Sequence, residues 1–499
     1  MTPTPVGTPT GPGSTPQHAG GDPPEGEAPG GGATDAGRDH RDITGTPPVG
    51  GTSDAPAPRP TEADRARRSH FTGGLAVMAA VAAGVQALFI HAMSHRTTLP
   101  AAGRYDTVQA RQLVRGYWLI DPAEATSGAH LLVPTATHPP LPTVLLAVAD
   151  LVDATGPTSH MVFLAVLFVA SVVLAGVTVR DLVGERAGLL AALVMATFPL
   201  LWVNPATVGP ETAVIAVTTL LLFAAVRFWA SPRMAHAALV GLALGLCALT
   251  RTDLSALVVL VGLPLALLVR HTSWPLRLRG LAVMGILFVL VVGPWVGRNV
   301  SLFGHTVLLS QDYGPAVAGA NCAVVYSGPL DGWWSPTCVA TVAVTGRDPA
   351  AATADQVRAA RGYASHHQGE AVGTAWVRLG RMWDVYRPGQ TAALETATGR
   401  PGWVSQLGRW YLYLVVPVAA VGAVVLRRRR LLLFPFVSLI VLSCLTGVLA
   451  FGDARFAVDA EVGLALLAGV GLDAGVAAGV RRWSTGPGRH SAGRLTGAT

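Results

Sequence analysis

The chain has 499 residues, 51% of them hydrophobic and 13% charged, with a formal net charge of +7 at pH 7 and a mean hydropathy of +0.46. Soluble domains carry about 25% charged residues, so this composition excludes an ordinary soluble protein and specifies an integral membrane one. The basic excess lies beside apolar runs and not in clusters interleaved with aromatics, which argues against nucleic acid as a partner; the absence of lysine excludes Schiff-base chemistry.

Residues 1–69 are rich in Pro, Gly, Thr, Ala and Asp and poor in large apolar side chains. Such a segment cannot bury enough surface to offset its ordering entropy, and the expectation is a disordered tail. The first apolar run begins near residue 72, too far in for a cleavable signal, and reads as an uncleaved span. Arg65, Arg67 and Arg68 abut it. The bias of arginine toward the cytoplasmic side then places the N-terminus in the cytoplasm.

Spans of about 20 apolar residues are expected at 72–93, 160–179, 187–205, 212–229, 235–250, 254–270, 280–297, 409–426, 431–450 and 460–480. The fold class is therefore an α-helical polytopic membrane protein of about ten transmembrane helices. The connections 180–188, 230–236, 270–280, 427–430 and 480–483, cytoplasmic under this topology, all contain arginine. The alternate short connections, 204–211, 251–253 and 451–461, hold the carboxylates. The even count returns the C-terminal tail, 483–499, to the cytoplasm.

Two outer segments are long. The first, 94–159, carries Asp106, Asp121, Glu124, His130 and His138, and ends in a short apolar stretch expected to form a juxtamembrane helix. Asp150, Asp153 and His160 read as interfacial polar groups. The second, 298–408, mixes polar residues with Trp and Tyr and is expected to form a small outer-face domain. It contains Cys322 and Cys338. An oxidising outer compartment favours a disulfide between them, closing a loop that contributes on the order of 3 kcal/mol. Cys247 and Cys444 lie within spans and read as apolar fillers. The chain then divides into a membrane module at 70–297, the loop domain at 298–408 and C-terminal helices at 409–482.

Read from the residues alone, each polar candidate has two roles. Asp106, in RYDTVQARQLVRG, is either a helix cap or a reacting acid. Glu211 is either a carboxylate favourable to a helix N-terminus or a site acid. His138 either shapes the turn before Pro139 and Pro140 or touches a substrate. Arg251 either pairs with Asp253 or serves a ligand anion, and Arg455 is a second cation candidate.

The series RYDTVQARQLVRG, HPPLP, RDLVGERAGLLAALVMATFPL, GPETA and GLALGLCALTR, with GPWVGRNVSLFG and FGDARFAVDAEVGLALLAGVG later, resembles the GT-C membrane glycosyltransferases of family 39. These include bacterial relatives of protein O-mannosyltransferases and lipid A aminoarabinose transferases. The resemblance implies a GT-C fold, a polyprenyl-phosphate sugar donor and a cell-envelope acceptor (protein, lipid or polysaccharide). It implies an extracytoplasmic site in a bacterial plasma membrane. Asp106 matches the catalytic acid of the first outer loop and Glu211 the second-loop acid. Tyr105, His138, Glu211, Arg251 and Arg455 are the expected substrate-binding residues, the arginines for the lipid phosphate. Many relatives carry two acids where this chain has Asp106-Thr107. No cofactor is certain, and a divalent cation stays an open alternative. A transporter or flippase of lipid-linked glycans, and a surface-glycan polymerase or ligase, are the rival readings.

Overall fold

The computed structural model describes residues 62–94, 99, 101–122, 132–152, 156–270, 272–303, 307–344 and 349–484. The expected tail over 1–61, Glu124, His130, Asp153 and the C-terminal stretch 485–499 lie outside the described residues. Among the described residues the regular structure is helical, apart from one isolated antiparallel bridge between Ile120 and Pro134. In lipid a helix satisfies its backbone within one segment, which long apolar runs require.

Among the described residues six helices are long and apolar enough to cross a membrane: Ser69–Met93, Pro157–Leu182, Glu211–Ala230, Trp274–Leu302, Gly402–Arg428 and Ala454–Arg481. A seventh arises if Glu185–Thr197 and Pro199–Thr207, bent by 60° relative to each other, form one span. The break falls at Phe198, the residue before Pro199, which proline forces out of the helical region. The other three expected spans are shorter apolar helices, Met234–Thr250, Thr252–Leu268 and Phe434–Leu449. Thr252–Leu268 changes character along its length, opening as a 3-10 turn, passing through a π turn at Val258–Gly262 and ending as an α-helix.

One boundary is corrected. The helix Glu62–Met93 starts inside the stretch expected to be a tail to residue 69. EADRARRS is built largely of good helix formers and extends the first span backwards. Leu141–Asp150 is a separate ten-residue apolar helix, as expected of a juxtamembrane element.

Close packing relies on small residues. Gly422 lies against the Leu467 carbonyl and Gly471 against the Val418 carbonyl, so a Cβ at either would overlap the facing backbone. This is how helices approach without a hydrophobic driving force between them. Arg180 and Arg227 share Asp181, at 2.7 and 2.8 Å, and Arg186 meets Asp473 at 2.5 Å. Arg227 and Glu211 occupy opposite ends of the helix Glu211–Ala230. The arginine pairs and Glu211 therefore mark two different ends of the bundle.

The described residues between 313 and 395 include the helices Tyr313–Ala320, Ala323–Tyr326, Pro336–Ala340, Pro349–His366, Gln368–Met382 and Pro388–Glu395. Cys322 and Cys338 are joined by a disulfide with Cα atoms 6.2 Å apart. Arg381, fully buried, donates to the Asp331 carboxylate at 2.7 Å. Arg378 donates to the carbonyls of Ala320 and Val448, tying these helices to the end of Phe434–Leu449.

Candidate active site

Asp106 lies on the helix Ala101–Val114. It is the sixth residue of that helix and only 2% exposed. That depth rules out the capping role, which belongs to the residue before the first turn. The helix comes close to the rest of the bundle because residue 103 is glycine: a Cβ there would stand 2.7 Å from the Thr207 carbonyl. The Asp106 Oδ1 is 3.4 Å from His138 Nδ1. The Tyr105 ring tilts against the imidazole of His138, with centroids 4.8 Å apart. Thr107 points the other way, its hydroxyl 3.5 Å from His160 Nδ1, while His160 Nε2 meets Asp150 at 2.7 Å. Asp150 and His160, expected as interfacial groups, are thus a buried pair behind the helix, with His160 fully enclosed.

His138 is held by a strap, residues 134–138, pinned on two sides. Arg298 donates to the carbonyls of Thr135 at 3.1 Å and Leu119 at 3.0 Å. Ala136 and Gln311 exchange two hydrogen bonds: the Gln311 amide donates to the Ala136 carbonyl at 2.8 Å, and the Ala136 amide to Gln311 Oε1 at 3.2 Å. Ser310 Oγ donates to the Thr137 carbonyl at 2.5 Å. The two long segments therefore meet at the strap that carries His138.

Glu211 is the first residue of its helix and 8% exposed, and its carboxylate folds back toward Gly209. Arg251 follows the helix Met234–Thr250. Its guanidinium donates twice to Asp253, at 2.8 and 2.7 Å, and to Asp459 at 3.2 Å. The pairing with Asp253 weighed from the sequence is therefore present. Arg455 sits 3.1 Å from the Asp453 carboxylate through Nε and lies over the rings of Phe451 and Phe456. Its two terminal nitrogens make no hydrogen bond among the described residues.

Asp106, His138, Glu211, Arg251 and Arg455 all line one cavity of ≈ 470 Å³. Tyr105 stands behind His138. One wall is apolar, with Ala256, Leu442, Leu445, Leu449, Phe451 and Phe456. Leu445 and Leu449 are also substantially exposed on the bundle surface, at 47% and 67%. The lining comes from the first long segment, from 210–211 and 250–256, from 310–317 and from 442–456, so the segment 70–297 alone does not make it.

Burial disfavours a charged His138, but the carboxylates of Asp106 and Asp312 outweigh it and raise its pKa above 6.5. Burial likewise opposes the charge on Arg251, and Asp253, Asp459 and Glu211 together hold it on. Burial pushes the Tyr105 phenol up to about 12, so it is a neutral donor near Thr135 and Thr137. Among the described residues no group of three or more His, Cys, Asp or Glu side chains is arranged to hold a metal ion.

Asp312, Ser310 and Asp459 were not singled out from the sequence. Ser310 and Asp312 lie in the second long segment, without any motif. Asp459 sits within FGDARFAVDAE, where the run of acids so near a span was the available signal.

Residues 137–297 match the family model of dolichyl-phosphate-mannose-protein mannosyltransferases. A search of curated proteins finds no match. Among solved structures, the chain is similar to the archaeal oligosaccharyltransferase AglB from Archaeoglobus fulgidus, in complex with an inhibitory peptide and a dolichol-phosphate. The TM-score is 0.47 at 13% identity, over 84% of this chain and 52% of that one. It is also similar to ArnT from Cupriavidus metallidurans bound to undecaprenyl phosphate, with a TM-score of 0.41 at 17% identity, over 82% and 80%. The chain spans about half the length of the archaeal enzyme.

Proposed function

We propose, from the premise that residues 137–297 make this chain a relative of the dolichyl-phosphate-mannose-protein mannosyltransferases, that it moves a monosaccharide from a polyprenyl-phosphate donor to an acceptor hydroxyl. The observation that carries the reading is the single cavity in which a buried carboxylate, Asp106, and two guanidiniums, Arg251 and Arg455, face an apolar wall. A donor of this class has the matching parts: an apolar tail, an anionic phosphate and a sugar.

The tail lies along Leu442, Leu445 and Leu449, where the cavity lining continues onto the exposed bundle surface. The phosphate is received by Arg455, whose terminal nitrogens are available, with Arg251 adding field from its place between Asp253 and Asp459. Asp106 accepts the proton of the acceptor hydroxyl as its oxygen bonds to the anomeric carbon. The bond from that carbon to the phosphate oxygen breaks, and the guanidiniums stabilise the charge gathering on the departing lipid phosphate. One such displacement inverts the anomeric configuration.

The arginine bias of the connections supports cytoplasmic termini and a site at the extracytoplasmic face of a bacterial plasma membrane. The acceptor is then a component of the cell envelope: protein, lipid or polysaccharide. The segments 70–297, 298–408 and 409–482 would be the membrane module, the outer domain and the closing helices of one enzyme. The test is transfer by purified protein in nanodiscs, with radiolabelled polyprenyl-phosphate sugars and crude envelope acceptor. Transfer with inversion is the expected result. Vectorial movement of the lipid-linked sugar without transfer would replace the reading with a transporter.

A further inference from the structure

Asp312 and Tyr313 stand on the cavity wall at the end where Asp106 and His138 lie, and both are exposed, Tyr313 at 56%. The Asp312 carboxylate takes part in no hydrogen bond or ion pair among the described residues. Its backbone is nevertheless fixed. Its amide donates to Ser310 Oγ at 3.0 Å, and Ser310 and Gln311 are bonded to the strap at Thr137 and Ala136. Just beyond it, Gly314 packs so tightly that a Cβ would stand 2.8 Å from the Thr353 backbone. A free carboxylate on a fixed backbone, beside an exposed aromatic ring in a cavity, is held ready for a ligand, whereas a merely solvated acid needs no such fixing.

The charges of the lining sharpen this. Four carboxylates, Asp106, Glu211, Asp253 and Asp312, stand against the two guanidiniums of Arg251 and Arg455 and the imidazole of His138. Asp253 and Asp459 already engage Arg251, and Asp453 engages Arg455. Asp312 joins Asp106 in holding the proton on His138. The imidazolium of His138 is already matched by Asp106 at 3.4 Å, so Asp312 is the uncompensated charge at that end, and an anion placed beside it would be repelled.

We infer that Asp312 and Tyr313 form the sugar-recognising wall of the cavity and select an uncharged pyranose ring over an anionic one. This rests on the glycosyltransferase reading above. A carboxylate accepts hydrogen bonds from two neighbouring hydroxyls at once. An aromatic ring covers the C–H face of a pyranose, burying apolar area on the side the hydroxyls leave bare. A uronyl ring would bring its own carboxylate to the same acidic end.

The experiment compares two synthetic donors, a polyprenyl-phosphate hexose and the matching polyprenyl-phosphate uronic acid, with wild type, Asp312→Asn, Tyr313→Ala and Tyr313→Phe. Wild type is expected to favour the hexose in kcat/KM by about 100-fold or more. Asp312→Asn should raise KM for the hexose about tenfold and narrow the preference by at least as much. Tyr313→Ala should raise KM similarly, and Tyr313→Phe, which keeps the ring, should raise it less than Tyr313→Ala does. Both positions are exposed, and thermal midpoints verify that each variant folds. Unchanged KM and unchanged preference in Asp312→Asn and Tyr313→Ala would overturn the inference while hexose transfer in the same assay upheld the glycosyltransferase reading. Transfer of neither donor by wild type would overturn both.

Discussion

Asp106 and His138 meet across 3.4 Å although 32 residues and a change of element separate them. The acid comes from a helix seated on Thr207 and Val208, the imidazole from a strap fastened by Arg298 and Gln311. His138 is held protonated above the usual imidazole range by the acids around it, against the effect of burial. It thereby orients the Asp106 carboxylate. Replacing His138 by Gln, which keeps a donor but no charge, should lower kcat/KM by about tenfold. Replacing it by Ala should cost about 100-fold or less, the usual scale for a partner that aims a catalytic group. Steady-state kinetics on folded protein decides this; equal activity in all three proteins would separate His138 from the site.

Arg455 offers its terminal nitrogens to the cavity, while Arg251 is already engaged by two carboxylates. Arg455→Ala should therefore weaken donor binding by about 10- to 100-fold, as expected on losing a charged hydrogen-bond partner. Arg455→Lys should recover part of that loss. Arg251→Ala should instead lower stability, because it leaves the buried Asp459 and the half-buried Asp253 without their counter-ion. Donor titration beside thermal unfolding separates the two outcomes, and a reversed pattern would reassign the phosphate to Arg251.

Gly103 sets the seat of the helix that carries Asp106. A Cβ at this position lies 2.7 Å from a carbonyl oxygen of the backbone, which cannot yield as a flexible side chain would. Gly103→Val should cost about 1–3 kcal/mol of stability and lower activity further by shifting Asp106. A Gly103→Val protein with wild-type melting and turnover would show that the contact relaxes without moving the acid.

Asp384 titrates far from its ordinary range. Burial and the nearby Glu395 push its pKa up to about 7, against the lowering effects of Arg409 and Arg400. Because the folded value exceeds the unfolded one, the folded state holds the proton more tightly. The associated stability is complete below about pH 4, the unfolded value, and is lost as pH rises through about 7. Asp384→Asn should flatten this decline. Asn also suits the backbone there, whose φ is +57°. Thermal midpoints from pH 5 to 8 test the point; parallel curves for wild type and variant would refute it.

Much of the architecture is legible in the sequence because hydropathy and arginine placement act locally. All ten expected span positions are helical, and the short apolar end of the first long segment forms the expected helix, Leu141–Asp150. What periodicity misses is where a helix begins: a cap stays open as one role for Asp106 because the turn supplied by Ala101–Arg104 carries no strong start signal. Hydropathy also cannot see the bend at Phe198 or the π turn at Val258–Gly262, since both fall within apolar runs. Among the site residues, Asp106, His138, Glu211, Arg251 and Arg455 stand out as polar groups beside apolar runs. Arg298, Gln311 and Asp312 do not, because their roles arise only when two segments about 170 residues apart are brought together.

The most direct measurement is transfer by Asp106→Asn in nanodiscs, with donor binding measured on the same preparation. The account predicts that the variant folds, binds the polyprenyl-phosphate sugar close to wild type and loses transfer by about 100- to 10,000-fold, the range for a general base. Undiminished transfer by the variant would contradict it.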